Sequence, residues 1–158
     1  DKPLVTISSN RSTHYYSDEV MNEQASALGR AVSKAIEESG KKVVLVASHS
    51  LSHRHFVTEA PLPEDMSREH IYNHSQYVWD MKVIEMMREG KMEEVIGILP
   101  EMIEQTMAEA EGGGLTWMMS AMGMPDYPAE IYGYQSVIGT GNVIAAWDPN
   151  SATRAIVL

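Results

Sequence analysis

Apolar residues fall into two kinds of pattern in the first third of the chain. Leu4-Val5-Thr6-Ile7 and Val43-Val44-Leu45-Val46-Ala47 are short, nearly continuous and rich in β-branched residues. Such runs are expected of strands covered on both faces. Between them, Val20, Ala27, Leu28, Ala31, Val32, Ala35 and Ile36 recur at helical spacing. Ser17 stands where an N-cap belongs, and Ser39-Gly40 where that helix should stop. Strand, helix and strand in this order make a βαβ unit, which predicts a parallel strand pair with helices packed on the sheet.

Beyond Pro61 and Pro63, which mark a surface loop, helical spacing returns. His70 to Glu89 predicts a second helix, with Ile71, Val78, Met81, Ile84 and Met87 at apolar positions. Lys91 to Leu99 reads as a short third helix, and Pro100 as the opening of a fourth that runs to Glu111. The methionines of this block are expected to fill the core. Gly112-Gly113-Gly114 interrupts the helical pattern, which resumes from Leu115 to Met122 and ends at Gly123. Ala129 to Ile138 and Val143 to Trp147 read as strands joined antiparallel by a tight turn at Gly139-Thr140-Gly141-Asn142. The fold class expected is therefore α/β, with a mixed, largely parallel central sheet flanked by helices. Val43 to Ala47 should lie near the middle of that sheet, with Leu4 to Ile7 parallel to it.

Charge and composition narrow the function. The 158-residue chain has 22 acidic and 12 basic side chains, a formal charge of -10, which argues against nucleic acid as a partner. No apolar run reaches transmembrane length and no signal-peptide pattern is present, so a cytoplasmic protein without a membrane partner is expected. The absence of Cys rules out disulfides, thiolate nucleophiles and Cys-ligated metals, leaving His, Asp and Glu as the possible ligands.

Ligands in open α/β sheets usually sit at the carboxyl ends of strands, and Ser48 to Arg54 leaves the end of one. His53 is the leading candidate there. A rigid strand would position its imidazole, and its ordinary pKa suits proton transfer in both directions. His49, His53 and His55 are close in sequence, but no helical spacing focuses all three on one metal. His70 and His74 are spaced i,i+4 without the Glu of an His-Glu-x-x-His motif, and read as helix surface. His14 borders a polar loop, Arg54 faces solvent, and Trp117 is expected in the core. No helix follows Gly139 and Gly141, so they serve a turn and not a dinucleotide site. In a continuous helix Glu109 and Glu111 would point roughly 200° apart, so only one would reach a shared site.

Three stretches, in order, resemble the class III extradiol ring-cleavage dioxygenases of the LigB-like superfamily. Val43 to His53 is similar to the family's strand that ends in a Ser-Gly-x-Leu-Ser-His-like motif. Ala108 to Gly123 looks like its acidic, Gly-rich turn before a Trp-containing helix, and Tyr132 to Trp147 like its closing Gly-x-Gly segment. The resemblance implies that 1–158 is a single domain or, as its opening on Asp1 inside an apparent strand also suggests, the C-terminal half of a larger LigB-like domain.

That family binds non-haem Fe(II) through two His and one Glu, cleaves catecholic or aminophenolic rings with O2, and uses a separate His for protons. The resemblance gives His53 the proton role. The metal carboxylate would be Glu111 or Glu109, or is absent, because in many relatives it lies one helical turn before the Trp, where Gly113 stands here. None of the six His matches the ligand pair, which the family takes from the first half of its fold. The remaining iron ligands must then come from an N-terminal half of the fold or from a paralogous subunit. Two accounts stay open. The chain is part of a catalytic extradiol dioxygenase subunit, or it belongs to a non-catalytic paralogous subunit, such as the α subunit of an aminophenol 1,6-dioxygenase, that supports a catalytic partner.

Overall fold

The computed structural model describes residues 2–7, 16–53, 74–108, 112–137 and 139–150. The first helix, α1 (Asp18–Ser39), forms as its end signals predict. The Ser17 hydroxyl accepts the Val20 amide, Asp18 and Glu19 lie at the positive end of the helix dipole, and Gly40 closes the helix at φ 62°. Its expected apolar face is largely uncovered. Only Met21 and Gly29 are buried, and both Val20 and Leu28 are exposed. α1 packs on α4 (Gly113–Ala121) through Gly29, where an added Cβ would lie 2.7 Å from the Ser120 Cβ and 2.9 Å from the Ala121 amide nitrogen.

α2 (His74–Arg88) and α3 (Met92–Thr106) form an antiparallel pair joined by a tight turn at Gly90. The Lys91 amide donates to the Met86 carbonyl and the Gly90 amide to the Met87 carbonyl, which satisfies the end of α2. The expected break at Pro100 does not occur, and Lys91 to Thr106 is not two helices: Pro100 lies inside α3. Proline removes one backbone bond, but Val95, Leu99 and Met102 keep a continuous buried face across it. The core joins these three to Val83, Ile84 and Met87 of α2, Met92 of α3, and Leu115 and Met119 of α4. Four of its members are methionines, as expected of this block.

α3 already ends at Thr106, with Met107 at φ 53°, short of the expected end at Glu111, and α4 includes Gly113 and Gly114, so of the three glycines only Gly112, at φ 68°, stands outside a helix. After it, β1 (Glu130–Val137) and β2 (Thr140–Ala146) form the expected antiparallel hairpin, turning at Gly139. Ser136 faces Gly141 and Tyr134 faces Val143, so Tyr134, Ser136, Gly141 and Val143 share one face, turned toward α2.

The chain combines helices and strands as an α/β protein, but its sheet is this two-stranded hairpin. The expected parallel pair is absent among the described residues. Residues 2–7 and 41–50 carry no strand pairing, and Leu4, Val44 and Val46 are 89%, 87% and 74% exposed. β-branched runs favour extended backbone, but a strand exists only when a neighbour takes up its backbone hydrogen bonds. No described segment is that neighbour.

Asp80 is the only ionisable side chain among the buried described residues, at 0% exposure. Desolvation pushes its pKa above the ordinary carboxylate value, while hydrogen bonds from the Ser52 hydroxyl, the Tyr134 hydroxyl and the Ser52 amide pull it down.

Two expected outcomes follow from this packing. Gly29→Ala, which on helix propensity alone would stabilise by about 1 kcal/mol, should destabilise by about 1–3 kcal/mol because α4 cannot yield the space. Chemical unfolding decides the sign. A carboxyl with a raised folded pKa gives its full favourable contribution below the ordinary Asp pKa, and that contribution is lost as pH rises through the folded value. The stability of the wild type relative to Asp80→Asn should therefore fall as pH rises above the ordinary Asp pKa of about 4. Unfolding curves for the two proteins that stay a constant distance apart as pH rises would contradict it.

Candidate functional site

The loop that carries His53 is fixed from one side by backbone and from the other by a carboxylate. The Leu51 amide donates to the Gly141 carbonyl at 2.8 Å, and the Gly141 amide donates to the Ser52 carbonyl at 3.0 Å. The Ser52 amide donates to Asp80 Oδ1 at 2.9 Å, and the Ser52 hydroxyl to Asp80 Oδ2 at 2.7 Å. The Tyr134 hydroxyl also donates to Oδ2, at 2.8 Å. Every polar group of Ser52 is thus engaged, and the next residue is His53. His53 is half-buried, with its Nδ1 enclosed.

This differs in origin from the expected arrangement. A rigid strand end was to aim His53, but residues 43–47 are unpaired. The aim comes from α2 and the hairpin. Gly141 is needed for more than a turn: an added Cβ would lie 2.7 Å from Asp80 Cγ and 2.8 Å from the Ser52 hydroxyl oxygen, and would clash with Asp80 Oδ2. Tyr77, one turn before Asp80 on α2, packs its ring 6.1 Å from that of Tyr134.

The same loop meets the glycine-rich turn. The His49 ring lies against Gly114, where a Cβ would be 2.8 Å from His49 Cδ2, and its Nδ1 donates to the Ser50 carbonyl. Gly112 is pressed on Leu99, and Ala108 and Gly113 are both buried. The backbone on either side of the acidic turn is therefore anchored in the core. Glu109 and Glu111 themselves lie outside the described residues, as do His14, Arg54, His55 and His70. His74 opens α2 and is exposed. Trp117, expected in the core, is half-buried on α4. Among the described residues no three His, Asp or Glu side chains converge as a metal site would require. No described helix is long and apolar enough to cross a membrane.

Asp80, Ser52, Tyr134 and Gly141 were not singled out by sequence reasoning as a unit. A signal for Asp80 was present. Gln76, Asp80, Val83, Ile84 and Met87 follow one helical face, and all five are buried. An acid on the apolar stripe of a helix needs donors from elsewhere in the fold.

Comparison with known proteins identifies the family. A family profile described as the catalytic LigB subunit of aromatic ring-opening dioxygenase matches residues 12–146. The chain is 49% identical over 148 residues to a 2-aminophenol 1,6-dioxygenase beta subunit from Pseudomonas sp, covering 94% of this chain and 48% of that protein. It is 27% identical over 129 residues to the 3,4-dihydroxyphenylacetate 2,3-dioxygenase of Escherichia coli, covering 82% of this chain and 44% of that protein. It thus spans about half the length of the curated relatives it matches. The chain belongs to the LigB family of aromatic ring-opening dioxygenases.

Proposed function

We propose that this chain supplies the acid–base half of an extradiol dioxygenase site in the cytoplasm, and that His53 is its proton-transfer group. The substrate class is an aromatic ring with adjacent hydroxyl groups, or with a hydroxyl beside an amino group, as the names of the two relatives suggest. The observation that carries the reading is the packing of His49 against Gly114. It brings the loop ending in His53 against the start of α4, a few residues after Glu109 and Glu111 in the sequence. A carboxylate of either residue directed toward the loop would stand where a metal ligand is needed beside a proton-transfer group.

Non-haem Fe(II), when bound, supplies the activation of O2 beside the ring. Glu111 is the preferred carboxylate ligand and Glu109 the alternative, since Gly112, at φ 68°, breaks helical register directly after Glu111. The described residues do not complete a site, so the two imidazole ligands come from an N-terminal half of the fold or from a related subunit. His53 takes a proton from the substrate hydroxyl and returns one to an oxygen of the product as the ring opens. The imidazole is half-buried, with its Nδ1 enclosed by this chain.

The same partner would cover the exposed apolar segments. Each Leu or Val side chain covered is worth about 1.5–3 kcal/mol, which favours recruiting residues 4–7 and 43–47 as strands of a larger, mainly parallel sheet. Their amides should exchange freely in the 158-residue chain and become protected in the intact assembly. Hydrogen exchange that stays fast in both would reject the shared sheet.

In the intact assembly, His53→Ala should lower ring-cleavage turnover by about 10²–10⁴-fold while iron content stays unchanged. Loss of iron with folding retained would make His53 a ligand. Glu111→Ala should empty the iron site while Glu109→Ala leaves it filled. The reverse pattern moves the ligand to Glu109. If both variants keep their iron, the chain has the supporting, non-catalytic role instead.

A further inference from the structure

We propose that Asp80 is a positioning residue for His53, acting through Ser52 in a cradle closed by Gly141. This rests on His53 as the acid–base group and goes beyond it by naming what aims the imidazole. Four hydrogen bonds converge on two consecutive residues just before His53: Leu51 to Gly141, Gly141 to Ser52, and the amide and hydroxyl of Ser52 to the two oxygens of Asp80. The backbone entering His53 therefore has its donor, its acceptor and its preceding side chain fixed on two different elements, α2 and β2. Tyr134 adds a third element by holding Asp80 Oδ2 from β1.

The chemistry suits orientation better than proton transfer. Asp80 is wholly buried, and all three of its described partners donate to it. Both of its oxygens are thus engaged by groups of this chain, and it has no exposed surface. Hydrogen bonds to a charged acceptor are stronger than neutral ones, and here they are spent on the residue next to His53. The fit is also tight. Gly141 has no room for a methyl group, because its backbone closes on both Asp80 and Ser52. A shift of the cradle is passed directly to the imidazole, and misplacement of a catalytic group by about 1 Å can cost about a hundredfold in rate.

The test uses the intact iron-loaded assembly and compares Asp80→Asn, Gly141→Ala and Ser52→Ala with His53→Ala. Asp80→Asn and Gly141→Ala should each lower kcat about ten- to a hundredfold, with KM within about twofold and iron content unchanged. Placed on a His53→Ala background, Asp80→Asn should cost nothing further, since a residue acting only through His53 has nothing left to position. Hydrogen exchange of residues 49–53 should quicken in Asp80→Asn. If Asp80→Asn fails to fold, Ser52→Ala, which keeps the backbone bond and loses only the hydroxyl, carries the same background comparison with a smaller effect. An equal loss of kcat in the presence and absence of His53 would make Asp80 merely structural and overturn the proposal, as would unchanged kcat in Asp80→Asn beside a large loss in His53→Ala. If His53→Ala itself keeps full turnover, the acid–base reading fails, and the positioning role fails with it.

Discussion

A carboxylate with no exposure constrains everything around it. Removing an ionised Asp from water costs several kcal/mol unless its lone pairs are met, so Asp80 cannot occupy the core of this protein alone. Its donors come from segments far apart in sequence, Ser52 and Tyr134, and Gly141 must lack a side chain to leave the space. One residue thus sets three relations: the loop after residue 50 must lie on α2, the hairpin must turn Tyr134 inward, and β2 must approach both. The apolar core of α2, α3 and α4 supplies most of the stability, as cores do. Apolar packing is non-directional, however, and would tolerate small slips of the loop. The Asp80 network does not.

Local signals in the sequence were read correctly where the structure they describe is local. Ser17 and Gly40 bound α1, and the glycine turn at residue 139 sets the hairpin, because caps and turns depend on a few neighbouring residues. Pro100 misled, since the cost of one missing backbone bond is local whereas the burial of Val95, Leu99 and Met102 that outweighs it is not. The two β-branched runs are without strand pairing among the described residues for a related reason. Their composition reports a preference for extended backbone, but sheet formation depends on a neighbour that composition cannot supply.

The candidate site was legible in part. His53 stood out through its motif and its place after an apolar run. The group that holds its loop did not, because no short motif spans residues 52, 80, 134 and 141. The closing glycines looked like a turn, and Gly139, at φ 70°, is one. Gly141 has a different reason to be glycine, visible only when Asp80 is beside it. Asp80 itself was detectable in principle, as an acid sharing the buried stripe of α2 with Gln76 and Val83.

In many α/β proteins a paired strand is the rigid element and the loop after it inherits its position. Here the dependence runs the other way. Val43, Val44 and Val46 are exposed and their run has no strand pairing, while Ser50, Leu51 and Ser52, just downstream, are all buried. The loop is thus ordered by contacts made wholly within this chain, before any further strand is added to the sheet. That separates two tasks that one sheet usually performs together. Adding strands beside residues 43–47 would extend the sheet and bring the missing ligands, and it need not be relied upon to aim His53. If His53 has the proposed proton-transfer role, its loop is ordered before any metal site is assembled, so the ordering cost would fall on the folding of this chain and not on assembly of the site.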